Sequence, residues 1–137
     1  MKMRKRGQIS TEYMMVVSFL TFIILATLGI AFYYSAQMKD TIKFNQLESF
    51  SQKIITISES IFYSGDPSRT TTTAYLPEGV NNISFVNPDL IFNVSTSSGE
   101  NIIAYKSNVN LTVDISTSSG MKKLYLNATE THVIVHS

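Results

Sequence analysis

An α+β chain, with one long N-terminal helix followed by a small antiparallel β-sheet or β-sandwich, is the fold class that three observations predict. Residues 13–38 contain no Asp, Glu, Lys or Arg and are dominated by Leu, Ile, Val, Phe, Met and Ala. From Leu47 to Ile61 apolar residues recur at steps of 3, 4, 3 and 4, the spacing of one helical face. From about Thr70 the period changes to two, the spacing of half-buried strands.

The first of these elements is long enough to cross a membrane. As a helix, residues 14–36 rise roughly 35 Å, against a hydrocarbon core of about 30 Å. Lys2, Arg4, Lys5 and Arg6 precede it, whereas Lys39 and Lys43 after it are offset by Asp40. The positive-inside rule puts residues 1–7 in the cytoplasm and the C-terminal part outside. Tyr33 and Tyr34 close the apolar run as an interfacial aromatic belt. A conventional secretory signal fits poorly: its apolar region is about 7–15 residues long, and Gly29-Ile30-Ala31 is a poor cleavage site.

The helix is expected to continue. No proline occurs before Pro67, and Gly29 is the only glycine between Gly7 and Gly65. Leu47, Phe50, Ile54, Ile57 and Ile61 form a stripe, with Lys39, Asp40, Lys43, Glu48, Lys53 and Glu59 on other faces. Ser64-Gly65-Asp66-Pro67 supplies the stop, so one helix from about residue 9 to residue 63 is expected. A stripe of this kind packs either on the rest of the chain or in a coiled coil with another protein.

A local string at the mouth of the apolar run carries chemistry. It reads Lys5-Arg6-Gly7-Gln8-Ile9-Ser10-Thr11-Glu12-Tyr13. A carboxylate near bilayer depth is costly unless it finds a partner. A cut between Gly7 and Gln8 would make Gln8 a free α-ammonium and Glu12 the fifth residue of the trimmed chain. Four residues of helix rise about 6 Å. A neighbouring copy shifted by about one turn would therefore bring its terminal amine beside Glu12, and the two buried charges would compensate each other.

These residues resemble the archaeal class III signal peptide of type IV pilin-like proteins, in which basic residues and Gly precede the cut and Gln-x-Ser-x-Glu-Tyr opens a hydrophobic helix. Gly7, Gln8, Ser10, Glu12 and Tyr13 carry the resemblance, which covers about the first 36 residues. It implies a type IV pilin-like fold, cleavage after Gly7 by a membrane prepilin peptidase, and an assembly platform in the membrane. It further implies a homo-oligomeric helical filament that leaves the cell membrane for the cell surface, where it serves adhesion. The expected organisation is a leader at 1–7, a transmembrane and filament-core helix at 8–37, its amphipathic continuation at 38–64, and a β-rich domain at 65–137.

In that last region Leu90, Phe92 and Val94 alternate with polar residues, as do Val109, Leu111, Val113 and Ile115, Leu124 and Leu126, and Val133 and Val135. Turn signals separate six or seven such strands. Ser-Thr-Ser-Ser-Gly occurs at 95–99 and again at 116–120, each copy between alternating segments, which reads as hairpin repetition. Four N-x-[ST] sequons, at Asn82, Asn93, Asn110 and Asn127, fall on the polar phase of their strands and are candidate sites for asparagine-linked sugar.

Composition narrows the function further. The net charge is +1, and loss of residues 1–7 leaves seven basic against ten acidic residues, or −3. That is no basis for nucleic-acid binding. There is no cysteine, no glycine-rich phosphate loop and no nucleophile elbow, so no catalytic residue, metal site or cofactor is expected and an enzyme is disfavoured. His132 and His136 read as surface strand histidines rather than a metal pair. Two alternatives to a filament subunit stay open: a membrane-anchored ectodomain, and a minor pilin or pseudopilin of a secretion or binding assembly.

Overall fold

The computed structural model describes the backbone from Arg4 to Ser137 and side chains from Ser10 onward. Gly7 and Gln8, the expected leader junction, lie outside the residues whose side chains are described. Among the described residues one helix, α1 (Arg4–Ser64), is followed by seven strands. These are β1 (Arg69–Leu76), β2 (Val80–Val86), β3 (Asp89–Thr96), β4 (Gly99–Lys106), β5 (Leu111–Asp114), β6 (Gly120–Ala128) and β7 (Val133–His136). The layout is the α+β arrangement that the change of period indicates. The chain divides into two compact units, Met1–Met38 and Lys39–Ser137.

The helix ends where its backbone chemistry requires. Gly65 lies in the left-handed region at φ 88° and its N–H donates to Phe62 O at 3.2 Å, a closure that glycine makes without a Cβ penalty. Pro67 then prevents continuation.

The second unit packs two sheets and the later part of α1 around one core. One sheet has the order β1-β6-β7-β5 and the other β2-β3-β4. Alternation set the buried faces: Leu90, Phe92, Val94, Leu124, Leu126, Val133 and Val135 are fully buried. Leu47, Phe50, Ile54 and Ile61 of the helical stripe join them, with Ile57 partly buried. Phe50 meets Phe92 edge to face at 6.2 Å, and Phe92 meets Tyr105 likewise at 6.0 Å. Burial pushes the Tyr105 hydroxyl's pKa up, and the nearby Glu48 carboxylate adds to the shift.

The packed face is wider than the stripe. Ser51, Ile55 and Ser58 are also buried, and these small or adjacent positions carry no periodic apolar signal of their own. Ser51 satisfies its hydroxyl on Glu48 O at 2.9 Å, while the Ser58 hydroxyl is buried with no partner.

Two details of topology depart from the sequence expectation. The strands are not all antiparallel: β5 pairs β7 in parallel, because β7 inserts between β5 and β6. For the same reason the two Ser-Thr-Ser-Ser-Gly copies play different parts. The first is a hairpin turn, with Thr96 paired to Gly99 across Ser97 and Ser98. The second joins β5 to β6, which are not neighbours, so it is a connection and not a hairpin. The Val109–Ile115 alternation likewise yields a strand of only four residues, with Val109 and Ile115 buried beyond its ends.

Polar residues on the flanks of α1 tie the helix to the strands of its own unit. The Asp40 carboxylate accepts from Ser97 N at 3.1 Å and from the Ser97 hydroxyl, at the tip of the β3–β4 hairpin. Lys43 Nζ donates to Ser95 O at 2.9 Å and Lys53 Nζ to Thr73 O at 2.6 Å. Glu59 Oε1 accepts from Asn108 Nδ2 at 2.8 Å. The sequence places these side chains only off the apolar stripe; their carbonyl and amide partners, 20 to 57 residues away, give no local signal.

Candidate functional site

The first unit presents the main candidate. Every side chain from Ser10 to Met38 is exposed, although the stretch is apolar on all sides. It is long and apolar enough to cross a membrane. Seventeen large hydrophobic side chains between Tyr13 and Met38 stand exposed. Fully burying such a side chain is worth about 1.5–3 kcal/mol, so the seventeen, already partly shielded by their own helix, represent on the order of 20 kcal/mol in all. That exceeds the roughly 5–15 kcal/mol that holds a whole domain together, so water is not the environment this helix is built for.

Its few polar atoms are disposed accordingly. Ser18 Oγ donates to Met14 O at 2.7 Å, Thr21 Oγ1 to Val17 O at 2.8 Å and Thr27 Oγ1 to Ile24 O at 2.9 Å. Each hydroxyl is satisfied within its own helix and asks nothing of a lipid or an apolar neighbour. Gly29 has no atom within 4 Å of where a Cβ would sit, so nothing within the chain requires a glycine there. Tyr33 and Tyr34 meet edge to face at 5.8 Å at the far end of the apolar run.

Of the motif residues, Ser10, Glu12 and Tyr13 lie on one turn of this helix with exposed side chains. Glu12 is the only charged residue from Ser10 through Met38. Among the described residues it has no ion-pair partner within its own chain.

The four sequons are distributed over both sheets. In each the middle residue points inward: Ile83, Val94, Leu111 and Ala128 are all buried. The asparagines differ in access, however. Asn82 and Asn110 are exposed, whereas Asn93 and Asn127 are half-buried, because β3 and β6 have a neighbouring strand on each side. The structure brings Asn82 and Asn93 face to face as register partners and leaves the other two apart.

Other clusters are modest. His132 Nδ1 lies 3.0 Å from Thr131 Oγ1, and the His136 ring stacks on Tyr125 at 5.3 Å. Among the described residues no group of three His, Cys, Asp or Glu is placed to hold a metal ion. An open groove of about 480 Å³ runs between α1 and β1, lined by Ile42, Phe50, Lys53, Tyr75 and Met121. Its apolar walls were invisible in the sequence because Ile42, Tyr75 and Met121 lie on three separate elements.

The chain matches no protein-family model, no curated protein and no solved structure. What its own architecture defines is a class: a small β-sheet unit carrying a long N-terminal helix compatible with membrane anchoring, a shape compatible with a pilin-like fold.

Proposed function

We propose that this chain is the precursor of a structural subunit of an archaeal type IV pilus-like surface filament. A prepilin peptidase removes residues 1–7, the helix waits in the cell membrane, and subunits then pack their helices into a filament core with the β-sheet unit forming the exposed wall. Adhesion is the role that such a wall serves. One observation carries the reading: a helix apolar on every side, with the Ser18, Thr21 and Thr27 hydroxyls satisfied internally, follows a basic Gly-Gln-x-Ser-x-Glu-Tyr string whose Glu12 is the one charge from Ser10 through Met38.

Lipid alone accommodates the apolar surface but leaves Glu12 unexplained. A filament accommodates both, since the new N-terminal ammonium of one copy can neutralise the Glu12 carboxylate of another. Electron microscopy of material sheared from the cell surface tests this directly. Filaments containing the chain are expected from cells that express it. Material that remains entirely in the membrane fraction as single copies would contradict the reading.

A further inference from the structure

We propose that the groove between α1 and β1 is a docking site for an extended peptide of a partner protein, which adds to the open edge of β1 as a further strand and carries a carboxylate for Lys53. The inference stands apart from the filament reading and gives the β-sheet unit a binding activity of its own.

The register fixes which backbone groups of β1 are free. Ala128 N donates to Ser68 O at 2.8 Å, and the pairing continues from there with Arg69 opposite Asn127 and Thr70 opposite Leu126. In an antiparallel ladder, hydrogen-bonded and non-hydrogen-bonded pairs alternate. Thr70, Thr72, Ala74 and Leu76 therefore exchange bonds with β6, whereas the N–H and C=O groups of Thr71, Thr73 and Tyr75 point off it. Among the described residues no strand lies on that side of β1. Among them, too, only the Thr73 carbonyl of these outward groups has a partner, Lys53 Nζ at 2.6 Å.

This edge forms one bank of the groove. Thr73 and Tyr75 line it, and α1 supplies the other bank through Ile42 and Lys53. From Thr71 to Tyr75 the open edge runs about 14 Å, room for about five residues of added strand. Ile42, Tyr75 and Met121 stand 52%, 45% and 70% exposed, apolar surface that alternate side chains of such a strand would cover. The other sheet edges are less suited: β2 and β5 lie against each other, and β4 does not border this groove.

Charge narrows the occupant. Among the described residues Lys53 is the one charged residue lining the groove, and it is exposed. Its ammonium has three donors and uses one on Thr73 O. An added strand takes over that carbonyl with an N–H of its own and releases Nζ for a carboxylate on the strand. A lysine held at a strand edge also blocks indiscriminate pairing, so a partner without the acid gains less.

The test is amide hydrogen exchange, followed by NMR, of the full chain in detergent with the synthetic peptide acetyl-Thr-Val-Thr-Val-Glu-Val-Thr-amide. At saturation the Thr71, Thr73 and Tyr75 amides are expected to exchange at least about tenfold more slowly. The Thr72 and Ala74 amides, already bonded to β6, should not change. The same peptide methylated at every amide nitrogen should no longer bind, and one with lysine in place of glutamate should bind several-fold more weakly. In Lys53→Met that difference should vanish.

Unchanged exchange at Thr71, Thr73 and Tyr75 overturns the docking site. Equal binding by the methylated peptide overturns strand addition, since its side chains remain and its donors are gone. Equal binding of the glutamate and lysine peptides to the wild-type chain, or a preference for glutamate that survives in Lys53→Met, overturns the pairing of Lys53 with a carboxylate.

Discussion

Among the described residues, Glu12 and Gly29 are two whose presence contacts within the chain do not explain. Glu12 places an ionisable group at the start of an apolar segment, and Gly29 costs about 0.5–1 kcal/mol of helix stability relative to alanine without relieving any contact. Both make sense if another helix comes close. Glu12→Ala should leave expression and membrane insertion intact and sharply reduce filament yield in sheared fractions; normal yield would remove the carboxylate from the account. Gly29→Leu should likewise lower yield without lowering helicity measured by circular dichroism in detergent, and unchanged filaments would show that no neighbour approaches at that position.

Asp40 offers a prediction of another kind. Its hydrogen bonds from the Ser97 hydroxyl and N–H hold its carboxyl below the ordinary aspartate range. A folded-state pKa below the unfolded value means that the contact stabilises the fold above roughly pH 3.9 and fades as pH falls through the lower, folded value. The Ser97 amide resonance should therefore shift on acidification in the wild-type chain and stay flat in Asp40→Asn. Identical titrations in both would place the carboxylate elsewhere.

At the scale of elements, the packed face of α1 between Leu47 and Ile61 decides whether the β-sheet unit has a core. Phe50→Ala removes a fully buried ring that meets Phe92, and should destabilise the unit by about 3–5 kcal/mol in denaturant unfolding of the full chain in detergent. Ser58→Ala has the opposite sign. It deletes a buried hydroxyl that lacks a partner and should stabilise the unit by about 1 kcal/mol. A destabilised Ser58→Ala variant would mean that the hydroxyl has a partner, such as a buried water.

Much of the element level was legible in the sequence, because period and punctuation are local properties. The 3-4-3-4 spacing from Leu47 to Ile61 and the alternation of Leu90, Phe92 and Val94 each mark their buried face directly. What was not legible depends on distant pairing. The parallel β5–β7 pair and the second Ser-Thr-Ser-Ser-Gly connection follow from where the last strand inserts, which no window around residues 111–120 contains. The contacts of Asp40, Lys43, Lys53 and Glu59 were hidden for the same reason, and the groove beside β1 was too. Unequal access among the sequons was also beyond a pattern of alternation. It marks which face an asparagine points to, but not whether its strand is central or at an edge.

For the whole molecule, each of the two units has its own requirement. The first exposes an apolar surface worth more than a domain's stability, and needs lipid or other helices around it. The second has a closed core and a polar outside rich in Ser, Thr and Asn, suited to water. A filament of identical subunits meets both requirements, provided that trimming supplies an ammonium to pair with Glu12. The trimmed end is also informative in detail, since a Gln8 that cyclised would have lost its positive charge and Glu12 would then depend on a backbone donor.

The most direct test is the intact mass of the chain recovered from purified surface filaments. The account requires a chain beginning at Gln8, with residues 1–7 absent from assembled material. A mass that retains Met1 or Lys2 in filaments, or a chain found only untrimmed and singly dispersed in the membrane, would contradict it.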